Sequence, residues 1–282
     1  MKSILKNIRA VSLAVNVPGP AAAARLAAMG ATVTKVEPPN GDPLANYSAG
    51  WYKALAANQE VVTLNLKQPE GAGRLQAMLA RADLLLTAQR PAALGRLSLD
   101  WPRLHGQFPR LCQVAIVGHP HPNQNLAGHD LTYAASAGLM SPPELPLTLL
   151  ADLSGAEMAV SAALALLFNR EKTGEGGYAE VALSEAAEGF ARPLKYGLTK
   201  PGGILGGGLP GYACYAARDG FVAVAALEPH FLERLLHELN LEKPGREEFE
   251  QIFATKTAAE WETWANDRDL PICKIRERHH AQ

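Results

Sequence analysis

Ile8 to Val36 reads IRAVSLAVNVPGPAAAARLAAMGATVTKV. Ile8 to Ala14 is rich in β-formers, Pro18-Gly19-Pro20 is a loop that enters a helix over Pro20 to Met29, Gly30 stops that helix, and Ala31 to Val36 is a second strand. A strand, a helix and a second strand in this order predict a βαβ unit, whose crossover is right-handed and whose strands are parallel. Working outward, the alternation continues with strand Val61 to Leu66, helix Glu70 to Ala80 with Pro69 in its first turn, strand Leu84 to Ala88 and strand Gln113 to Val117. The prediction is an α/β fold, a Rossmann-like parallel sheet covered by helices. No Gly-x-Gly-x-x-Gly joins the first strand to its helix, so neither NAD nor FAD is expected.

Beyond Val117, Leu150 to Phe168 (LADLSGAEMAVSAALALLF) reads as a long apolar helix. Ser154 and Glu157 have capping-box spacing, and Asp152 lies just before the first turn. Asn169 to Gly177 reads as a polar turn and Tyr178 to Leu183 as a strand. Pro201-Gly202-Gly203 and Gly206-Gly207-Gly208 mark a flexible crossing into different material. A hairpin of Tyr212 to Tyr215 and Phe221 to Ala226 about Asp219-Gly220 follows, with helices at Pro229 to Leu239, Arg246 to Ala254 and Ala258 to Ala265. The expected division is a large domain over 1–200, a Gly-rich linker over 201–209, a small α+β domain over 210–275 and a tail over 276–282.

Composition limits the function. The 282 residues are 48% hydrophobic and 20% charged, enough for a large core, and 27 Lys and Arg against 28 Asp and Glu give a formal net charge of -1. No overall field recruits nucleic acid or an anionic membrane, so any phosphate must meet a local patch. Cys112, Cys214 and Cys273 are dispersed, which fits a reducing cytoplasm and neither a disulfide framework nor a zinc site. Lys2, Lys6 and Arg9 before an apolar stretch faintly imitate a secretory signal, but that stretch reads better as the first strand, and no uninterrupted apolar run approaches the roughly 20 residues of a membrane span. His119-Pro120-His121 and His279-His280 lack metal-ligand spacing, so no metal is expected.

Three short stretches place ionisable groups beside Gly or Pro at element edges, where they can face a cleft: Gly128-His129-Asp130, Ala151-Asp152-Leu153-Ser154-Gly155 and Leu227-Glu228-Pro229. A carboxylate at a helix N-terminus stays ionised and can serve as base or nucleophile, although spacing alone favours a plain helix cap as the reading of Asp152. A lone histidine such as His129 reads as a surface residue unless context says otherwise. Glu228 can simply open the helix whose first residue is Pro229.

The run Gly30 to Pro39 (GATVTKVEPP) resembles the N-terminal signature of CoA-transferase family III, the CaiB/BaiF group, which includes α-methylacyl-CoA racemases. Asp152 in its Ala-Asp-Leu-Ser-Gly setting resembles the family's catalytic aspartate, acylated in transferases and an acid/base in racemases. Gly128-His129-Asp130 ahead of Leu131-Thr132-Tyr133-Ala134 is similar to the racemase subgroup, whose histidine transfers protons, and Asp130 is counted with that site. The segment Ala225 to Phe231 resembles the one supplying a glutamate, here Glu228, that hydrogen-bonds the histidine. In the family these groups meet across a dimer, which implies an interlocked homodimer. Arg90-Pro91 with Leu94-Gly95-Arg96-Leu97 resembles the CoA-contacting segment, which makes Arg90 the first CoA contact and Lys35 a second. Gly206, Gly207 and Gly208 resemble the transferases' Gly loop. The family's return segment beyond the small domain is missing or shortened here, and cations usual after Gly41-Asp42-Pro43 and at Asn58-Gln59-Glu60 are absent.

The resemblance implies an enzyme acting on an acyl-CoA with no added cofactor beyond the CoA of the substrate, most simply by α-proton transfer as in 2-methylacyl-CoA racemases. CoA transfer between carboxylic acids through an Asp152 anhydride is the alternative. A CoA-binding paralogue without catalysis is the third reading.

Overall fold

The computed structural model describes residues 4–243 and 245–276. The expected tail at 276–282 and His279-His280 therefore lie almost wholly outside the described residues. The chain divides into two compact units, Met1–Ala191 and Arg192–Gln282.

The first unit runs β1 (Arg9–Ser12), α1 (Pro18–Ala28), β2 (Thr32–Glu37), α2 (Leu44–Tyr47), α3 (Ala49–Ala56), β3 (Glu60–Thr63), α4 (Pro69–Leu79), β4 (Leu84–Thr87), α5 (Pro91–Arg96), α6 (Trp101–Gln107), β5 (Cys112–Val117), α7 (Asp130–Ser136), α8 (Leu150–Thr173), β6 (Tyr178–Ala182) and α9 (Leu183–Phe190). All six strands are parallel, in the order β3-β2-β1-β4-β5-β6. The order reverses direction between β1 and β4, and ligands of such sheets bind beyond the strand C-termini at that point.

Strand side chains alternate between faces, so one sheet feeds two cores. Leu84 and Leu86 join Ala10, Val114 and the buried side of α1 and α8; Leu85 joins Val11, Val36, Leu75 and Leu104 on the other face. β4 and β5 are buried along their whole length, which is why they read as continuous apolar runs and not as alternating ones. Pro18 occupies the first turn of α1, where its missing N–H costs nothing, so this helix begins two residues before the expected Pro20.

At 24 residues, α8 is long and apolar enough, by length and composition, to cross a membrane. Asp152 and Glu157 interrupt it, and Ala151, Ala156, Ala159, Val160, Ala163 and Leu167 are buried in the core that α8 shares with β5 and α1. It is the central helix of this unit.

The second unit comprises α10 (Arg192–Lys195), a wound segment at Ile204–Gly208, β7 (Tyr212–Ala217), β8 (Gly220–Ala225), α11 (Pro229–Glu238), α12 (Arg246–Phe253), α13 (Ala258–Asn266) and β9 (Ile272–Lys274). β7, β8 and β9 form an antiparallel sheet. Tyr215, Phe249, Phe253 and Trp261 fill its core, with the Trp261 indole N–H donating to the Phe253 carbonyl at 2.8 Å.

Candidate active site

The chain leaves β1 through Val15 and Asn16, β4 through Ala88, Gln89 and Arg90, and β5 through Gly118; these residues line one cavity of about 250 Å³. The cavity occupies the crevice that the strand order predicts. His129 and Asp152 line it together. Two residues 23 positions apart in the sequence meet because α7 and α8 both begin at this end of the sheet.

Asp152 is the third residue of α8, not a group just outside it, because the helix starts at Leu150 with Leu149 as its N-cap. The expected capping box is absent: Ser154 donates to the Ala151 carbonyl at 3.2 Å, and Glu157 pairs with Arg25 at 3.0 Å. The carboxylate nonetheless sits closer to protonation than a helix start alone implies. Asp152 is 9% exposed, and burial first, then the charge of Asp130, push its pKa from 3.8 to about 6. The helix N-terminus favours the anion, but desolvation and the neighbouring carboxylate outweigh it.

Asp130 opens α7 and is buried, and its Oδ1 accepts the Asp152 backbone N–H at 2.9 Å. That bond ties the two helix starts together, so Asp130 positions the site. His129 is the N-cap of α7. Its backbone N–H donates to Thr132 Oγ1 at 3.0 Å, while its ring, exposed and lining the cavity, caps nothing.

Arg90, exposed at the N-cap of α5, brings a cation to the cavity wall. Lys35 does not. It is 1% exposed, and its ammonium lies 2.8 Å from Glu37 and 2.5 Å from Asp42, both buried. Its charge is consumed inside the fold, which corrects its expected role as a CoA contact. The pair works on the backbone instead. Asp42 Oδ1 also accepts the N–H of Asn16 at 2.8 Å and of Leu44 at 2.9 Å, holding Asn16 in a left-handed conformation (φ 73°) at the cavity.

Glu228 belongs to the second unit, exposed at the N-cap of α11 with no side-chain capping bond. Gly206, Gly207 and Gly208 were expected in a flexible crossing, but the segment closes on itself. Gly206 and Gly208 each donate to the Gly203 carbonyl at 2.9 Å, and Arg246 reaches the Gly207 carbonyl at 2.9 Å.

Tyr133, Asn16 and Gly118 also line the cavity and were not singled out from the sequence. For Tyr133 a signal existed, because it follows His129 by four residues in the first turn of the helix that His129 caps. Nothing in the sequence marks Asn16.

The family model of CoA-transferase family III matches residues 5–282. The α-methylacyl-CoA racemase of Homo sapiens is 33% identical over 291 residues, which cover 91% of this chain and 74% of that protein. The cinnamoyl-CoA:phenyllactate CoA-transferase of Clostridium sporogenes is 28% identical over 320 residues, covering 96% and 77%. Among solved structures, a CaiB/BaiF family protein from Brucella suis superposes with a TM-score of 0.81 at 19% identity, over 97% of this chain and 84% of that one, a likeness of fold.

Proposed function

The chain belongs to CoA-transferase family III, and from that premise we propose that it moves the α-proton of an acyl-CoA thioester, inverting that carbon as a 2-methylacyl-CoA racemase does. The observation that carries this reading is one cavity lined by both His129 and Asp152. Inversion needs a base on one face of the carbon and an acid on the other. Neutral His129 takes the α-proton, the C–H electron pair passes into the thioester as an enolate, and protonated Asp152 returns a proton to the opposite face. The reverse direction exchanges the roles. A carboxyl group with a pKa near 6 is suited to both forms at neutral pH.

Arg90 is the proposed phosphate contact, and no cofactor is invoked beyond the CoA of the substrate. Following the family resemblance, Glu228 of a second copy orients the His129 imidazole in a homodimer, and the Gly206 to Gly208 segment borders the substrate. A cytoplasmic setting is proposed on the dispersed spacing of Cys112, Cys214 and Cys273 in the sequence.

The test is incubation with a 2-methylacyl-CoA in heavy water. Deuterium enters at the α-carbon with the wild-type protein, and His129→Ala and Asp152→Asn each slow it by about 10²-fold or more. A second reading, CoA transfer through an Asp152 anhydride, is favoured by the 28% identity to a CoA-transferase over 96% of the chain. Hydroxylamine trapping after acyl-CoA separates the two: label on Asp152 without α-exchange sinks the racemase reading.

A further inference from the structure

Tyr133 is 4% exposed, and its hydroxyl group has no protein partner among the described residues. The oxygen is not one of the fully buried polar atoms that lack a partner, so it is reached from the cavity that Tyr133 lines and is not sealed in the core. Two glycines fix where it sits. A Cβ at Gly118 would come within 2.2 Å of Tyr133 Oη, and a Cβ at Gly128 within 2.5 Å, so the hydroxyl lies close against both of these residues, which themselves line the cavity. The His119 ring packs edge-on against the phenol, with centroids 5.2 Å apart and planes at 81°. The ring is therefore held from three sides while its oxygen lies at the cavity wall, alongside His129 and Asp152. Asp152 acts on the phenol only through its charge, with no hydrogen bond between the two side chains.

We propose that the Tyr133 hydroxyl donates a hydrogen bond to the thioester oxygen as that oxygen gains negative charge, making Tyr133 a catalytic residue of the site. This rests on the α-proton-transfer reading, in which breaking the C–H bond sends an electron pair into the carbonyl. The phenolic proton stays on Tyr133 throughout and no bond to it breaks. Burial, with the Asp152 charge adding to it and Arg90 opposing it, moves the phenol's acidity further from neutrality, so the group is a lasting donor. A neutral, prepositioned donor is favoured in such a role because it needs no reorganisation when charge appears.

The test is Tyr133→Phe, which keeps the ring against the glycines and removes the donor. The expected result is a fall of about 10²–10³-fold in kcat for α-deuterium exchange, with the dissociation constant for the acyl-CoA and the unfolding midpoint nearly unchanged. A kcat within about threefold of wild type, or equal losses in binding and rate, overturns the proposal. Should the Phe variant fail to fold, 3-fluorotyrosine at position 133 takes its place; a rate that moves with the donor's acidity supports the assignment and an unmoved rate overturns it. If the wild type transfers CoA without exchanging the α-hydrogen, the racemase reading fails separately. Attack by the Asp152 carboxylate then charges the same oxygen, so loss of transfer in Tyr133→Phe supports the donor and full transfer overturns it. A wild-type protein inactive in both assays overturns both.

Discussion

At Asp152 the requirements of stability and chemistry pull apart. Its folded pKa of about 6 lies above the ordinary 3.8, so the folded protein binds that proton more tightly than the unfolded chain does. The stability this contributes is full below about pH 4 and is lost as pH rises through about 6, a difference of at most ~3 kcal/mol. Asp152→Asn should therefore match the wild type in urea unfolding at pH 4 and exceed it at pH 7, while losing α-exchange. In the wild type, the direction of reaction that uses Asp152 as base should fall off as pH drops below about 6, seen as an acid limb in kcat/KM. Lys35 and Arg90 divide in the same manner. Lys35→Met leaves Glu37 and Asp42 buried without a counter-ion and should cost about 3–5 kcal/mol of stability, read by denaturant midpoint. Arg90→Ala should instead raise KM for the acyl-CoA and flatten its salt dependence, with the midpoint unmoved. Motif and charge marked His129, Asp152 and Arg90 in the sequence, and the structure puts all three on the lining of one cavity. Lys35 was misread because a sequence gives the sign of a charge and not the carboxylates that will fold around it.

Among the elements, two were legible nearly to the residue: α4 begins at Pro69 and β6 at Tyr178. α8 was not. Its polar end at Asn169 to Thr173 looked like a turn, yet Arg170 is buried and pairs with Asp83 at 2.8 Å, which fastens the helix to the residue leading into the central strand β4, and Gly174 at φ 80° ends it. A tertiary ion pair prolonged a helix that local polarity argued against. The short helices α2, α3, α5, α6, α7 and α9 carry no long apolar run and depend on packing for their existence. Close packing also explains Gly19 in the first turn of α1. A Cβ there would lie 2.0 Å from the Cβ of Ala14, beyond what either backbone can yield without moving. Gly19→Ala should destabilise by about 1–3 kcal/mol, although alanine is the better helix former; thermal unfolding decides whether packing or propensity governs this turn.

For the whole molecule, alternation along the chain foretold a parallel sheet but not its strand order. The β3-β2-β1-β4-β5-β6 order depends on where each crossover returns, which no local pattern encodes, and that order is what creates the crevice holding His129 and Asp152. The proposed part of Glu228 raises a question of the same scale: whether the residue that orients the imidazole comes from the same chain or from another copy. His129→Ala and Glu228→Gln, each nearly inactive alone, answer it when the two proteins are unfolded, mixed in equal amounts and refolded. If Glu228 serves its own chain, every site in the mixture carries one of the two lesions and activity stays lost. If it serves a partner in a two-fold dimer, half the dimers are mixed, each has one site with both lesions and one with neither, and activity recovers to about a quarter of wild type. Recovery that fades on dilution below the dimer's dissociation range would tie the effect to assembly, whereas no recovery at any concentration would remove Glu228 of a partner from the mechanism.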